Sequence, residues 1–213
     1  MSSRNRVHSL NKSGVNLAAS TGSAAKASFG QGSVGAFTLV QVNVDYTIAP
    51  IPTQAYLADY VAVRPHRTGF VLVFGKLNGA GDALRTQIEV IFPKQTFNSQ
   101  LWQSSVPLRD TLFKLNGVTA NMSRPELPDA EKTQTVAANN VFMATTLEEA
   151  VLDFYYLSPR GIFFANVTQS NDVGDLEAVI RISTDASLLR EFLDRCKPYV
   201  EEGQSNVQVK YSR

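Results

Sequence analysis

The chain predicts an α+β protein: two β-β-β-α repeats forming a pseudo-symmetric antiparallel-sheet core with packed helices, preceded by a flexible N-terminal arm. Three observations predict it. In Tyr60 to Phe74, Y-V-A-V-R-P-H-R-T-G-F-V-L-V-F, two apolar runs flank a Pro/Gly turn, and a weaker copy, F-Y-Y-L-S-P-R-G-I-F-F-A-N-V, recurs from Phe154 to Val167. Each copy then passes through a polar Gly/Asp loop into a third apolar run and a helical pattern. Residues 1–35, finally, are rich in Ser, Gly, Ala and Asn, and carry Arg4, Arg6, Lys12 and Lys26 with no acidic residue before Asp45. Such a segment has too little apolar surface to offset the entropy of ordering it.

The chain divides into the arm at 1–35, a first strand plus the first repeat at 36–115, a connection at 116–140, and the second repeat plus a C-terminal strand at 141–213. Val40, Val42, Val44, Tyr46 and Ile48 alternate with polar residues, the period of a half-buried strand, and Pro50 and Pro52 end it. Ala58 to Val63 reads as the next strand, Arg64 to Gly69 as a turn, and Phe70 to Phe74 as a strand buried on both faces. Gly75 marks a bulge or the strand's exit, Asn78 to Asp82 a loop, and Gln87 to Phe92 the third strand. After Pro93 a helical spacing puts Phe97, Leu101 and Trp102 on one side, and Pro107 interrupts it before Leu108 to Leu115 continue.

Asn116 to Asn140, with Pro125 and Pro128, has the least pattern and reads as a surface connection. In the second copy Val151 to Leu157 and Ile162 to Val167 are strands around the turn Ser158 to Gly161, and Leu176 to Ile182 is the third. A helix follows, capped by Ser183 or Thr184, with Asp185 in its first turn and Leu188, Leu189, Phe192, Leu193 and Cys196 at helical spacing. Pro198 and Gly203 should limit it, and Val207, Val209 and Tyr211 alternate as a last strand suited to a sheet edge.

The runs A-D-Y-V-A-V-R-P-H-R-T-G-F-V-L-V-F-G and S-P-R-G-I-F-F-A-N-V, with V-I-R-I-S-T-D-A-S-L-L-R-E-F-L, resemble a small bacterial β-β-β-α domain family of uncharacterised function. The resemblance implies the repeat layout and brings no activity or catalytic residue with it.

Composition narrows the function. The chain has 213 residues, 44% of them hydrophobic and 18% charged, the balance of a soluble globular protein. No run approaches the roughly 18 apolar residues of a membrane span, and the N-terminus lacks a secretory apolar region, so the expectation is a cytoplasmic protein without membrane contact. The single cysteine, Cys196, leaves no internal disulfide and no cysteine-based metal site. Nucleotide-binding, hydrolase and metalloprotease motifs are absent, and the expectation is a non-enzymatic protein with no cofactor and no metal. Adjacent carboxylates at Glu148-Glu149 and Glu201-Glu202 read as solvated faces, and Asp172 and Asp175 lack a further acidic ligand.

A net charge of +1 hides a split, since residues 1–115 carry 11 Lys/Arg against 5 Asp/Glu while residues 116–213 carry 9 against 14. Opposite halves attract, within one chain or between chains. The favoured function is therefore a binding or assembly protein that forms homo-oligomers through sheet edges and the arm. One alternative is single-stranded nucleic-acid binding on a basic, aromatic sheet face, with Tyr60, Phe70, Phe74, Tyr155, Tyr156, Phe163 and Phe164 as the aromatics available for stacking and Arg64, His66, Arg67, Lys76, Arg85 and Arg160 as candidate anion contacts. Flanked by Arg64 and Arg67, the turn at His66 suits an anion contact better than general-base work. The other alternative is a particle-forming structural subunit, for which a basic arm before a β-rich body is a common plan.

Overall fold

Two four-stranded sheets, assembled from interleaved parts of the chain, dominate the computed structural model. It describes residues 46–47, 49–114, 120, 126–161 and 176–205. The strands are β1 (Ala55–Leu57), β2 (Tyr60–His66), β3 (Gly69–Leu77), β4 (Leu84–Pro93), β5 (Lys132–Ala137), β6 (Asn140–Thr145), β7 (Glu149–Leu157) and β8 (Leu176–Asp185). Between β4 and β5 lie α1 (Lys94–Thr96), a π-helical segment (Phe97–Gln103) and α2 (Val106–Leu112), and α3 (Ala186–Ser205) follows β8. The content is mixed α and β, mainly sheet.

One sheet runs β2-β3-β4-β5, the other β1-β8-β7-β6. In each, three consecutive strands form an antiparallel meander, and a fourth strand joins in parallel from the other half of the chain: β5 on β4, and β1 on β8. The pairings correspond position by position up to the register shifts, which fall between Lys76 and Leu77 in one meander and between Phe154 and Tyr155 in the other. Ala55, Tyr56 and Leu57 face Arg181, Ile182 and Ser183, as Thr135, Val136 and Ala137 face Glu89, Val90 and Ile91. Tyr60 faces Gly75 as Asn140 faces Tyr155, and Gly69 faces Pro93 as Glu149 faces Asp185. The flanking backbone bonds also correspond: Ala58 N–H donates to Ser183 O, Ala138 N–H to Ile91 O, Asp59 N–H to Gly75 O and Asn139 N–H to Tyr155 O. The structural counterpart of β2–β3 is thus β6–β7, and not the Phe154 to Val167 stretch that the sequence copy suggests, because β7 is the central strand of its meander.

Side chains explain the meander. Val61, Leu72, Phe74, Ile88, Val90 and Phe92 from one sheet meet Val141, Met143, Leu152, Phe154, Ile180 and Ile182 from the other in the main core. Phe74 and Phe154, at matching places in the two registers, lie with ring centroids 5.7 Å apart, and Phe192 of α3 adds a contact 5.4 Å from Phe74. Apolar faces on both sheets can leave water together only by packing on each other and under the helices. Helices cross over as strands do: α3, after β8, packs on β2, while the π-helical segment and α2, after β4, pack on β6.

Several local expectations shift. His66 pairs with Gly69, so the turn is Arg67-Thr68, tighter than Arg64 to Gly69, and Arg64 and Pro65 belong to β2. Pro65 is tolerated because β2 is an edge strand. Gly69 is required sterically, since a Cβ there would lie 2.1 Å from Phe92 O. The α3 cap is Asp185, whose Oδ1 accepts from Leu188 N–H at 2.7 Å, and neither Ser183 nor Thr184, which still pair in β8. Pro198 lies inside α3, which runs to Ser205 past both Pro198 and Gly203, because only one backbone donor is lost and the helix is held by its buried face. Strand β5 lies in the stretch read as a connection. Tyr46 and Thr47 form a turn, and the rest of the first predicted strand except Ala49, with the arm, the Ile162 to Val167 strand and the C-terminal strand, lies outside the described residues.

Candidate functional site

The anion contacts and Tyr60 proposed from sequence do not converge. Tyr60 is 1% exposed in a small cluster on the outer face of its sheet, with Ala62, Val73, Leu84 and Ala130, and its hydroxyl accepts from Leu127 N–H at 3.2 Å. Arg64 points outward from β2 toward residues 126–130. Its Nη1 donates to Asp129 Oδ1 at 2.6 Å, and its Nε lies 3.2 Å from Glu126 Oε1 without hydrogen-bond alignment. Partial burial opposes the charged guanidinium, but the Asp129 hydrogen bond and the charges of Asp129, Glu126 and Glu89 outweigh it, and its pKa is raised. Hydrogen bonds from Arg64 and then Gln87 hold the Asp129 carboxyl below its ordinary value.

His66 and Arg67 are exposed at one end of this sheet, where His66 Nδ1 and the Thr68 hydroxyl lie 3.1 Å apart. Lys76 and Arg85 sit at the other end, about 26 Å away along β3, with Lys76 Nζ 2.7 Å from Asp59 Oδ2. Arg160 is exposed beyond β7, on the other sheet. Of the aromatics proposed for base stacking, Tyr60, Phe70, Phe74 and Tyr155 are buried and Tyr156 is half-buried, while Phe163 and Phe164 lie outside the described residues.

The strand edges differ more usefully. Edge β1 is three residues long and follows Pro50 and Pro52. Edge β2 contains Pro65 and is overlain by α3, whose Tyr199 hydroxyl donates to Val63 O at 3.1 Å. Edge β6 has the π-helical segment and α2 packed on it. Edge β5, K-T-Q-T-V-A, is six residues long, has no proline, and is exposed at every position but Val136, which is half-buried. Ala138 N–H donates to Ile91 O, so the alternation of a strand turns the N–H groups of Thr133, Thr135 and Ala137 away from β4. Among the described residues, no strand pairs with that outer edge. Sequence reading missed it because polar residues lie on both faces of β5, which erases the period of two. The available signal was the β-branched Thr133, Thr135 and Val136.

Two other polar centres are internal. Arg181 holds Asp153 by a bidentate pair, Nε and Nη2 each 2.7 Å from a carboxylate oxygen. Beside it the Tyr155 phenol, desolvated and facing Asp153, is pushed up to about 12. Arg109 lies 3.6 Å above the Trp102 ring and donates to Trp102 O. Cys196 is buried, and that burial pushes its thiol well up, which suits core packing. Among the described residues no group of His, Cys, Asp and Glu could hold a metal ion, and no helix is long and apolar enough to cross a membrane. No family model, no curated protein and no solved structure matches the chain.

Proposed function

We propose that the protein is a non-enzymatic binding or assembly protein that self-associates through a sheet edge, with its N-terminal arm as a second contact. The two halves are, in this reading, copies of one β-β-β-α unit whose preceding strand is handed to the other copy. The matching pairing registers support the duplication. The observation that carries the function is β5, a six-residue strand without proline whose outer N–H groups face away from β4. Such an edge is a template for a further strand, and folded proteins ordinarily shorten, cover or interrupt it. The other edges here are treated in those ways.

The nucleic-acid alternative is less well supported. Base stacking needs exposed aromatic faces, and Tyr60, Phe70, Phe74 and Tyr155 are buried. Arg64 and Lys76 are already engaged by carboxylates.

The test is light scattering after size-exclusion chromatography on the full chain and on Thr135→Pro, at low and high salt, with absorbance at 260 and 280 nm. Proline at 135 removes an outward N–H and leaves the bonds to β4 in place. The expected result is an oligomer free of nucleic acid whose mass falls in the variant. A monomer at all concentrations, or an oligomer indifferent to Thr135→Pro, sinks the edge reading. Nucleic acid that co-purifies and is shed in salt would promote the alternative.

A further inference from the structure

We infer that the natural partner surface of each half of this chain is the other half of a second copy, so that two chains can assemble by exchanging halves. The inference rests on the self-association reading and names a different surface for it. The contacts that complete each sheet run between the halves. Strand β5 is held by β4, and β1 by β8. Helix α3 lies on β2, and the π-helical segment lies on β6. Polar ties run the same way: Arg64 to Asp129, Leu127 N–H to the Tyr60 hydroxyl, Ala130 N–H to Gln87 Oε1, and Tyr199 to Val63 O.

Residues 55–114 alone therefore lack the fourth strand of their own sheet and the helix over its edge. Residues 126–205 lack the same two things on theirs. A second copy offers all of them in identical chemistry, and every side-chain contact of the monomer is regained in the exchanged dimer. The covalent link between halves passes once, through residues 115–125. With the contacts equal, protein concentration and the closure of that one link decide between monomer and exchanged dimer.

The register supplies the probe. Glu89 and Thr135 are partners in the β4–β5 ladder, and Thr135 Oγ1 lies 3.3 Å from Glu89 Oε2. Cys196 is buried and does not compete. One full-length chain carries Glu89→Cys and a second, bearing a mass tag, carries Thr135→Cys. They are unfolded together, refolded at high protein concentration, oxidised, and separated on a non-reducing denaturing gel. The expected product is a covalent dimer of one chain of each kind, several-fold above the dimer formed by either chain alone. The double variant Glu89→Cys/Thr135→Cys, refolded in dilute solution, should close its bond within one chain. If that bond closes and the mixture gives no mixed dimer above the single-variant controls, half exchange is wrong. If the bond does not close, the β4–β5 register and the inference fall together. A mixed dimer that persists when Thr135→Cys is combined with Ala137→Pro would support exchange while removing the edge reading. An oligomer sensitive to Thr135→Pro with no mixed cross-link would do the reverse.

Discussion

The two sheets share their pairing and differ in what covers their outer faces. On the β1-β8-β7-β6 sheet, Tyr46 packs against Phe142 and Tyr155 at 5.6 and 5.5 Å, beside an ion pair whose carboxylate, Asp153, is 5% exposed. On the β2-β3-β4-β5 sheet, Leu127 and Ala130 cover Tyr60 and Val73, and the ion pair is peripheral, with the Asp129 side chain 60% exposed. Corresponding strand-entry residues diverge too. Asn139 uses Oδ1 and Nδ2 to satisfy both backbone groups of Leu157, while Asp59 accepts from Leu77 N–H and takes Lys76 as a counter-ion. Backbone pairing is thus the common frame, and outer-face polarity is free to vary on it, because ladder geometry depends little on which side chain stands above the pleat.

The largest test of that frame is at its centre. Phe74→Ala and Phe154→Ala should each lose about 3–5 kcal/mol in denaturant unfolding, through the transfer and cavity terms of a buried ring. If the two places are equivalent, the losses agree within about 1 kcal/mol and unfolding stays a single transition; a two-step transition would mean that the sheets are separate units.

Next comes the ion pair. Asp153→Ala strands a half-buried Arg181 and should remove about 3 kcal/mol. The contrast between sheets fails if Asp129→Ala costs as much.

The phenols give a smaller, pH-dependent effect. Burial raises the Tyr46 and Tyr155 pKa values above the ordinary 10.0, so the folded chain keeps protons that the unfolded chain gives up. Their contribution is intact below pH 10 and is lost as pH climbs toward about 12. Thermal melts of Tyr155→Phe should be flatter across that window than those of the wild type. Smallest is Asp129→Ala, worth at most about 1 kcal/mol for an exposed pair. Its lowered pKa makes that contribution present above the ordinary carboxylate value and lost as pH falls through the folded one. Melts of wild type and variant should therefore converge in acid.

The first meander and two strands of the second were legible where residues alternate or cluster locally, whereas β6 (Asn140–Thr145) was not assigned from sequence. The strands around Tyr60 to Phe74, Gln87 to Phe92, Val151 to Leu157 and Leu176 to Ile182 were all readable. So were the helical faces of Phe97, Leu101 and Trp102, and of Leu188 to Cys196. The candidate site was not. Tyr60, an apparent stacking surface, is covered by Leu127, and Arg64, an apparent anion contact, is held by Asp129; both partners come from the far half of the chain.

By itself the sequence determined the α+β class, the first antiparallel meander in outline, two of the three strands of the second and the buried place of Cys196, because periodicity and burial tendency are local properties. Tertiary structure alone decided that β1 and β5 leave their own meanders to complete each other's sheets. A three-residue strand and a polar six-residue strand bury too little to choose a partner locally. Their place is set by the parallel ladders that β8 and β4 offer, and those exist only once both halves have come together.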